Sequence, residues 1–200
     1  ILYMNKLLII TIITLLLVAC GSEDYTPKPR VYPRMVLPEK GYKNAEGIDC
    51  DFMFQQPIAS EIQQEKEFFG ENIESSCWFD IYYPQLNGAV HFTYYPITKD
   101  KPLYKLVEDA YKMEEQHIQK ASYMDHAAIV RRDANVFGEI TNIGGDVGTP
   151  FQFYLTDSTT HFLRAGLTFN ASANSDSLAP AVQHVKDDMI TLIESFQWKE

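Results

Sequence analysis

Hydrophobic and polar positions follow three regimes along the chain. Near the N-terminus they form a block: twelve residues from Leu7 to Val18 are apolar except for Thr11 and Thr14. Between Phe52 and Phe169 they mostly alternate. Phe79, Ile81 and Tyr83 share one face of a strand, as do Val90, Phe92 and Tyr94 in the returning run. Asn87–Gly88 between the two runs accepts positive φ, which predicts a hairpin. "CDFMFQQPI" (50–58) reads as a further strand, and Ala127–Arg131, Val136–Ile143, Phe151–Thr156 and Phe162–Phe169 read as four more. Gly144–Gly145, Gly148–Pro150 and Asp157–Ser158 mark turns. Glu61 to Glu74 is polar and charged and predicts a helical turn or loop.

The third regime has helical spacing. After Pro102, Leu103, Leu106, Val107, Ala110, Met113 and His117 form one stripe, with Lys105, Asp109, Lys112 and Glu115 opposite. At the C-terminal end Leu178, Val182, Val185, Met189, Leu192, Ile193 and Phe196 form another. Ser177 is the predicted cap and Pro180 a first-turn residue, with Asp187, Asp188 and Glu194 facing out. The prediction is α+β: a mainly antiparallel sheet with two long amphipathic helices packed on it. This distribution distantly resembles PsbP-like sandwiches.

Composition fixes where such a domain works. The protein has 200 residues, enough for one domain of ordinary size, and a formal net charge of −10. An acidic surface excludes a general nucleic-acid binder and adsorption to anionic lipid by charge. Read from Met4, one cation (Lys6), the apolar block and small Ala19 precede Cys20. That is the layout of an export signal, and the block is shorter than the roughly 20 residues a membrane span needs. "LVAC" (17–20) resembles the lipobox of bacterial lipoproteins. The resemblance implies cleavage before Cys20 and fatty acylation, palmitate included, of its sulfur and amine. The alternatives are an uncleaved helical anchor, or cleavage that leaves Cys20 an ordinary thiol.

The expected organisation is a signal peptide over 1–19, lipidated Cys20 with a Pro-rich tether over 20–40, and one α+β domain over 41–200. Residues 21–40 hold four of the ten prolines, and Val31 to Leu37 has the alternative of lying on the domain as an edge strand. Without residues 1–19 the charge is −11. Asn44–Glu200 carries 11 cations and 24 anions, so the body holds the acidity. The two remaining cysteines, Cys50 and Cys77, are expected to pair after export to an oxidising compartment, the alternative being two buried thiols.

Candidate chemistry is sparse. No CxxC, HxxxH or HExxH offers neighbouring metal ligands, and no GxSxG or phosphate loop is present. No metal and no cofactor is expected. Glu114 and His117 stand three apart, a weak acid–base pair, and His91 is expected to face solvent. Asp157, Ser158 and His161 are close in sequence, but Asp–Ser between strands reads as a turn whose side chains bond the backbone. Gly144–Gly148 reads as a hairpin tip, and Asp187–Asp188 as a solvated helix face. Trp78, Tyr82, Tyr83, Tyr94, Tyr95 and Tyr104 cluster around the hairpin. Most are expected in the core, with Trp78, Tyr82 and Tyr95 as candidate partner-binding aromatics on the second face.

Several segments together resemble a known family. "YTPKPRVYPRM" (25–35), "CWFDIYYP" (77–84), "HFTYYPI" (91–97), "LYKLVEDAYKM" (103–113), "FYLTDSTTHFLRAGLTFN" (153–170) and "DSLAPAVQHVKDDMITLIESFQW" (176–198) are similar, in order, to the gliding-motility lipoprotein D family (GldD) of the Bacteroidota. The resemblance implies a non-enzymatic, membrane-anchored lipoprotein needed for gliding and associated type IX secretion. Its implied partners are type IX secretion components and other gliding lipoproteins, the latter of which it would help stabilise. It transfers one functional residue, Cys20, and no catalytic ones. The implied location is the cell envelope, with the outer membrane preferred and the domain facing periplasm or surface. A ligand-binding or polymer-hydrolysing envelope lipoprotein is the alternative.

Overall fold

The computed structural model describes Tyr3, Tyr32, residues 34–64 and 77–199, and the backbone of 67–68 and 71–72. The chain divides into two units, Ile1–Pro33 and Arg34–Glu200. The expected signal peptide, the acylation site Cys20 and the tether as far as Pro33 lie outside the described residues, Tyr3 and Tyr32 apart.

In the second unit a seven-stranded antiparallel sheet runs in the order β4 (Glu61–Gln64), β7 (Phe79–Tyr83), β8 (Gly88–Pro96), β12 (His161–Phe169), β11 (Phe151–Thr156), β10 (Val136–Gly145), β9 (Ala121–Arg131). Short pairs surround it: β1 (Tyr42–Asn44) with β3 (Gln55–Pro57), β2 (Phe52–Met53) with β13 (Gln197–Trp198), and β5 (Glu67–Phe68) with β6 (Glu71–Asn72). The helices are α1 (Leu103–Glu115) and α2 (Ser175–Ser195). The fold class is α+β, as expected.

Period-2 alternation decides which face each helix covers. Phe79, Ile81, Tyr83, Val90, Phe92, Leu163, Ala165, Leu167, Phe153 and Leu155 point to one face. They pack with Ala181, Val185, Met189, Leu192 and Phe196 of α2 in the main core. Within it the Phe79 and Phe92 rings stack at 4.8 Å, and Phe54 lies parallel to both. The register of β8 and β12 sends Tyr95 and Phe162 to the opposite face. There Leu106 and Ala110 of α1 bury against Phe162 in a separate, smaller cluster.

Several local expectations change. Glu61–Gln64 is an edge strand instead of a helical turn or loop, because Ile62 pairs with Ile81 and packs on the core. Asn174 caps α2, accepting from the Ser177 amide at 3.0 Å, so Pro180 lies inside the helix and not at its first turn. In α1 the buried stripe runs Leu106, Ala110, Glu114; Met113 is exposed and His117 lies beyond the helix end. Arg34–Lys40 belongs to the compact unit: Met35 packs on the core and Pro38 is buried. Where the end of β10 meets the start of β9 the register shifts at Gly144/Gly145, and Gly145 takes φ +103°, where a side chain would be strained.

Candidate functional site

Cys50 and Cys77 form a disulfide with Cα atoms 5.6 Å apart. It fastens the segment before β2 to the start of β7. Trp78 follows directly, and the crosslink holds it against the α1 face of the sheet. Its Nε1 donates to the Tyr94 carbonyl at 2.9 Å, and its ring meets the Tyr95 ring edge-on at 5.4 Å. Lys101 Nζ sits 4.9 Å above the Tyr95 ring. Both aromatics are half-buried, as is Tyr82. Tyr82 stands toward the other end of β7, opposite Ala89. The structure therefore joins Trp78 and Tyr95 into one half-exposed aromatic surface and sets Tyr82 apart from it. Tyr83 is fully buried and Tyr104 is exposed at the start of α1.

The Asp157–Ser158–His161 segment is a turn. One Asp157 oxygen accepts from the amides of Thr159, Thr160 and His161 at 3.0, 2.8 and 2.7 Å, and the other from the Thr159 hydroxyl. Burial alone would raise the Asp157 pKa, but these donors outweigh it and hold the carboxyl below its usual range. Ser158 takes φ +71° inside the turn. His161 bonds the Tyr94 hydroxyl at 2.7 Å and stacks on Trp198. None of the three addresses another as a nucleophile addresses its base.

A relay that sequence proximity concealed crosses three strands. His91 Nδ1 lies 2.7 Å from Asp80 Oδ1, and Nε2 lies 2.8 Å from Thr168 Oγ1. The residues come from β7, β8 and β12, and only the sheet register brings them together. The expected exposure of His91 holds. Among the described residues, the strands that carry this arrangement are paired with one another in the sheet ladder.

Two buried polar centres were also concealed. Asp188 was expected on a solvated helix face, yet it is 1% exposed. Lys40 Nζ at 2.6 Å and the hydroxyls of Tyr42 and Tyr83 at 3.0 and 3.2 Å satisfy its carboxylate. His184 Nε2 is 3.6 Å away. Burial and then the Lys40 charge push the His184 pKa down, against the pull of Asp188. Burial chiefly raises the Tyr83 pKa, and the Asp188 charge adds to it.

The second centre lies under the C-terminal half of α1. Glu114 is buried, accepts from the Thr141 hydroxyl at 2.9 Å through Oε1, and leaves Oε2 without a hydrogen-bond partner. Gln152 accepts from Arg164 Nη2 at 2.7 Å through its carbonyl, while its buried Nε2 has none. Arg164 Nη1 contacts Met113 Sδ. Tyr111 and His126 both meet Glu139 Oε1, at 2.9 and 3.0 Å. Desolvation raises the Glu114 pKa, over the opposing Thr141 bond.

Among the described residues no group of three or more His, Cys, Asp or Glu is placed to hold a metal ion, and no helix is long and apolar enough to cross a membrane. An open cleft of about 860 Å³ lies between the start of β9, the end of β10 and the start of α2, lined by Lys120, Ser122, Asp146 and Ser175 among others. Asp146 itself accepts from the Ser175 amide there.

These features define an α+β sandwich domain whose polar clusters knit its layers together, carrying a disulfide and an aromatic face. Residues 22–198 match the family described as gliding motility lipoprotein GldD, and the chain belongs to that family. The family is linked to gliding motility, is not an enzyme family, and as a lipoprotein family implies a membrane-anchored place in the cell envelope. No curated protein sequence matches the chain. Among solved structures, the solution structure of cyanobacterial PsbP (CyanoP) from Synechocystis sp. PCC 6803 is similar over 86% of this chain and 99% of that one, at 13% identity and a TM-score of 0.44.

Proposed function

We propose that this protein is a non-enzymatic, lipid-anchored accessory subunit of the gliding machinery and of the type IX secretion that serves it. Family membership over residues 22–198 carries the reading. In it, Cys20 bears the lipid, the proline-rich segment spans from the membrane, and the acidic body binds and stabilises other gliding lipoproteins. The outer membrane is the proposed location, with the domain facing periplasm or surface. Lipid anchors it, since a body of this charge is repelled by anionic headgroups.

The Trp78–Tyr95 surface is the proposed contact. Half-buried aromatics that are already held in place lose little side-chain freedom on binding, which suits an interface anchor. Deleting the gene is expected to abolish spreading and reduce adhesin export. A deletion strain that spreads and secretes normally would overturn the proposal.

One observation favours the hydrolytic alternative: the Asp80–His91–Thr168 relay. That alternative requires His91→Ala to reproduce the deletion phenotype. The accessory reading requires the same variant to spread normally.

A further inference from the structure

The two edges of the large sheet differ. β4 ends one side with four residues, Glu-Ile-Gln-Gln, and β9 ends the other with eleven. Open edges offer unpaired amides and carbonyls to any passing strand. Proteins usually blunt them with short length, lysine, proline or a bulge. β4 is blunted by its length and polarity. β9 carries no lysine or proline, and its irregularity lies at its beginning, opposite Gly144/Gly145, leaving 123–131 regular. β10 is its strand partner among the described residues, and residues 125–128 and Val130 are exposed.

We propose that β9 pairs antiparallel with β9 of a second copy across a two-fold axis, joining the two sheets into one of fourteen strands. A two-fold normal to the sheet keeps each face on its own side, so only residues of like parity stand opposite one another. With the axis at Ala128, Asp125 meets Arg131 of the partner subunit, and its Arg131 meets the partner's Asp125. In the middle Ala127 stands opposite Ile129, Ala128 opposite itself, and His126, which bonds Glu139 of its own sheet, opposite Val130. Moving the axis one residue back sets Asp125 against Ile129, and one residue forward sets it against Asp133. The charge pattern selects a single register. Arg131 Nη1 donates to the carbonyls of Ile193 and Phe196 at 2.8 and 2.7 Å, which fixes its side chain at the end of α2. The net charge of two bodies opposes association, but beyond a Debye length of about 8 Å salt screens it, whereas the paired charges lie in contact.

The test uses the full-length lipoprotein in its native membrane. Ala128→Cys places two thiols opposite each other at the axis, and Ser122→Cys places them out of reach. Oxidation or a short bis-maleimide is expected to trap a species of twice the protomer mass with Ala128→Cys and at least tenfold less with Ser122→Cys. Adding Asp125→Lys to Ala128→Cys is expected to reduce the trapped dimer severalfold, with an unchanged thermal melt showing that the domain is folded. Equal trapping at both positions, no dimer at position 128, an adduct with a different protein, or indifference to Asp125→Lys would each overturn the proposal.

Discussion

Lys40 and Asp188 stand 148 positions apart in sequence, and their charged atoms lie 2.6 Å apart. Asp188 is almost wholly buried and Lys40 partly exposed. The pair binds the residues just before β1 to the middle of α2, so the N-terminal approach to the domain is fastened to its longest helix. Lys40 Nζ also donates to the His184 carbonyl at 2.6 Å.

The pair is asymmetric, and so are its expected mutational effects. Asp188→Ala removes the buried charge, takes the Asp188 acceptor from the Tyr42 and Tyr83 hydroxyls, and leaves the partly exposed Lys40 its bond to the His184 carbonyl; it is expected to cost about 1–2 kcal/mol. Lys40→Ala leaves the buried Asp188 carboxylate without its counter-ion, and is expected to cost about 3 kcal/mol or more. Urea unfolding of both variants measures this. Equal losses would contradict the account.

Glu114 predicts a pH dependence of opposite sign to ordinary acid denaturation. Its folded pKa is raised by burial, so the folded protein holds the proton more tightly than the unfolded chain does. The corresponding stability is complete below the usual carboxyl pKa and is lost as pH rises through the raised value. Thr141, His126, Glu139 and Arg164 face this carboxyl, and Thr141, His126 and Arg164 limit the shift. Hydrogen exchange of α1 amides should therefore speed up between acidic and neutral pH beyond its intrinsic rate. Glu114→Gln should remove that increment; an increment that persists in the variant would refute it.

Reduction of Cys50–Cys77 releases a loop spanning a sequence separation of 27. The chain-entropy cost is about 3–4 kcal/mol. Cys50→Ala/Cys77→Ala should lower the urea midpoint accordingly and free Trp78, whose emission should shift to the red. A double variant with unchanged midpoint and emission would contradict a stapling role.

Strands whose alternation is strict were legible from sequence: Phe151–Thr156 has the bounds its pattern predicted, and Val136–Gly145 and His161–Phe169 are close to them. Boundaries failed where polar side chains do structural work. Asn174 took the cap expected of Ser177 because helix ends are chosen by side-chain bonds to amides that periodicity ignores. Asp188 looked like a solvent-facing acid because helical spacing ranks residues by polarity, whereas Lys40 and Tyr42 arrive from remote positions to satisfy it. The Asp80–His91–Thr168 relay was illegible for the same reason: its members are neighbours only through register. Among the aromatics, Trp78 and Tyr95 were foreseeable as second-face residues from alternation in the hairpin. Their separation from Tyr82 required the structure.

The lipid-anchor assignment is separable from the fold. Cys20→Ala should leave the thermal melt of the domain unchanged and move the protein from the membrane to the soluble fraction. Fatty-acid labelling that persists in the variant would refute the lipobox assignment.

The central claim is that this domain works by holding other gliding lipoproteins. Its most direct measurement is crosslinking in living cells from a photoreactive residue placed at Tyr95, with mass-spectrometric identification of what is trapped. The account predicts other gliding-motility lipoproteins or type IX secretion components in the adduct, lost when Trp78 is replaced by Ala. Recovery of envelope polymer alone, or of no protein adduct at all from that surface, would contradict it.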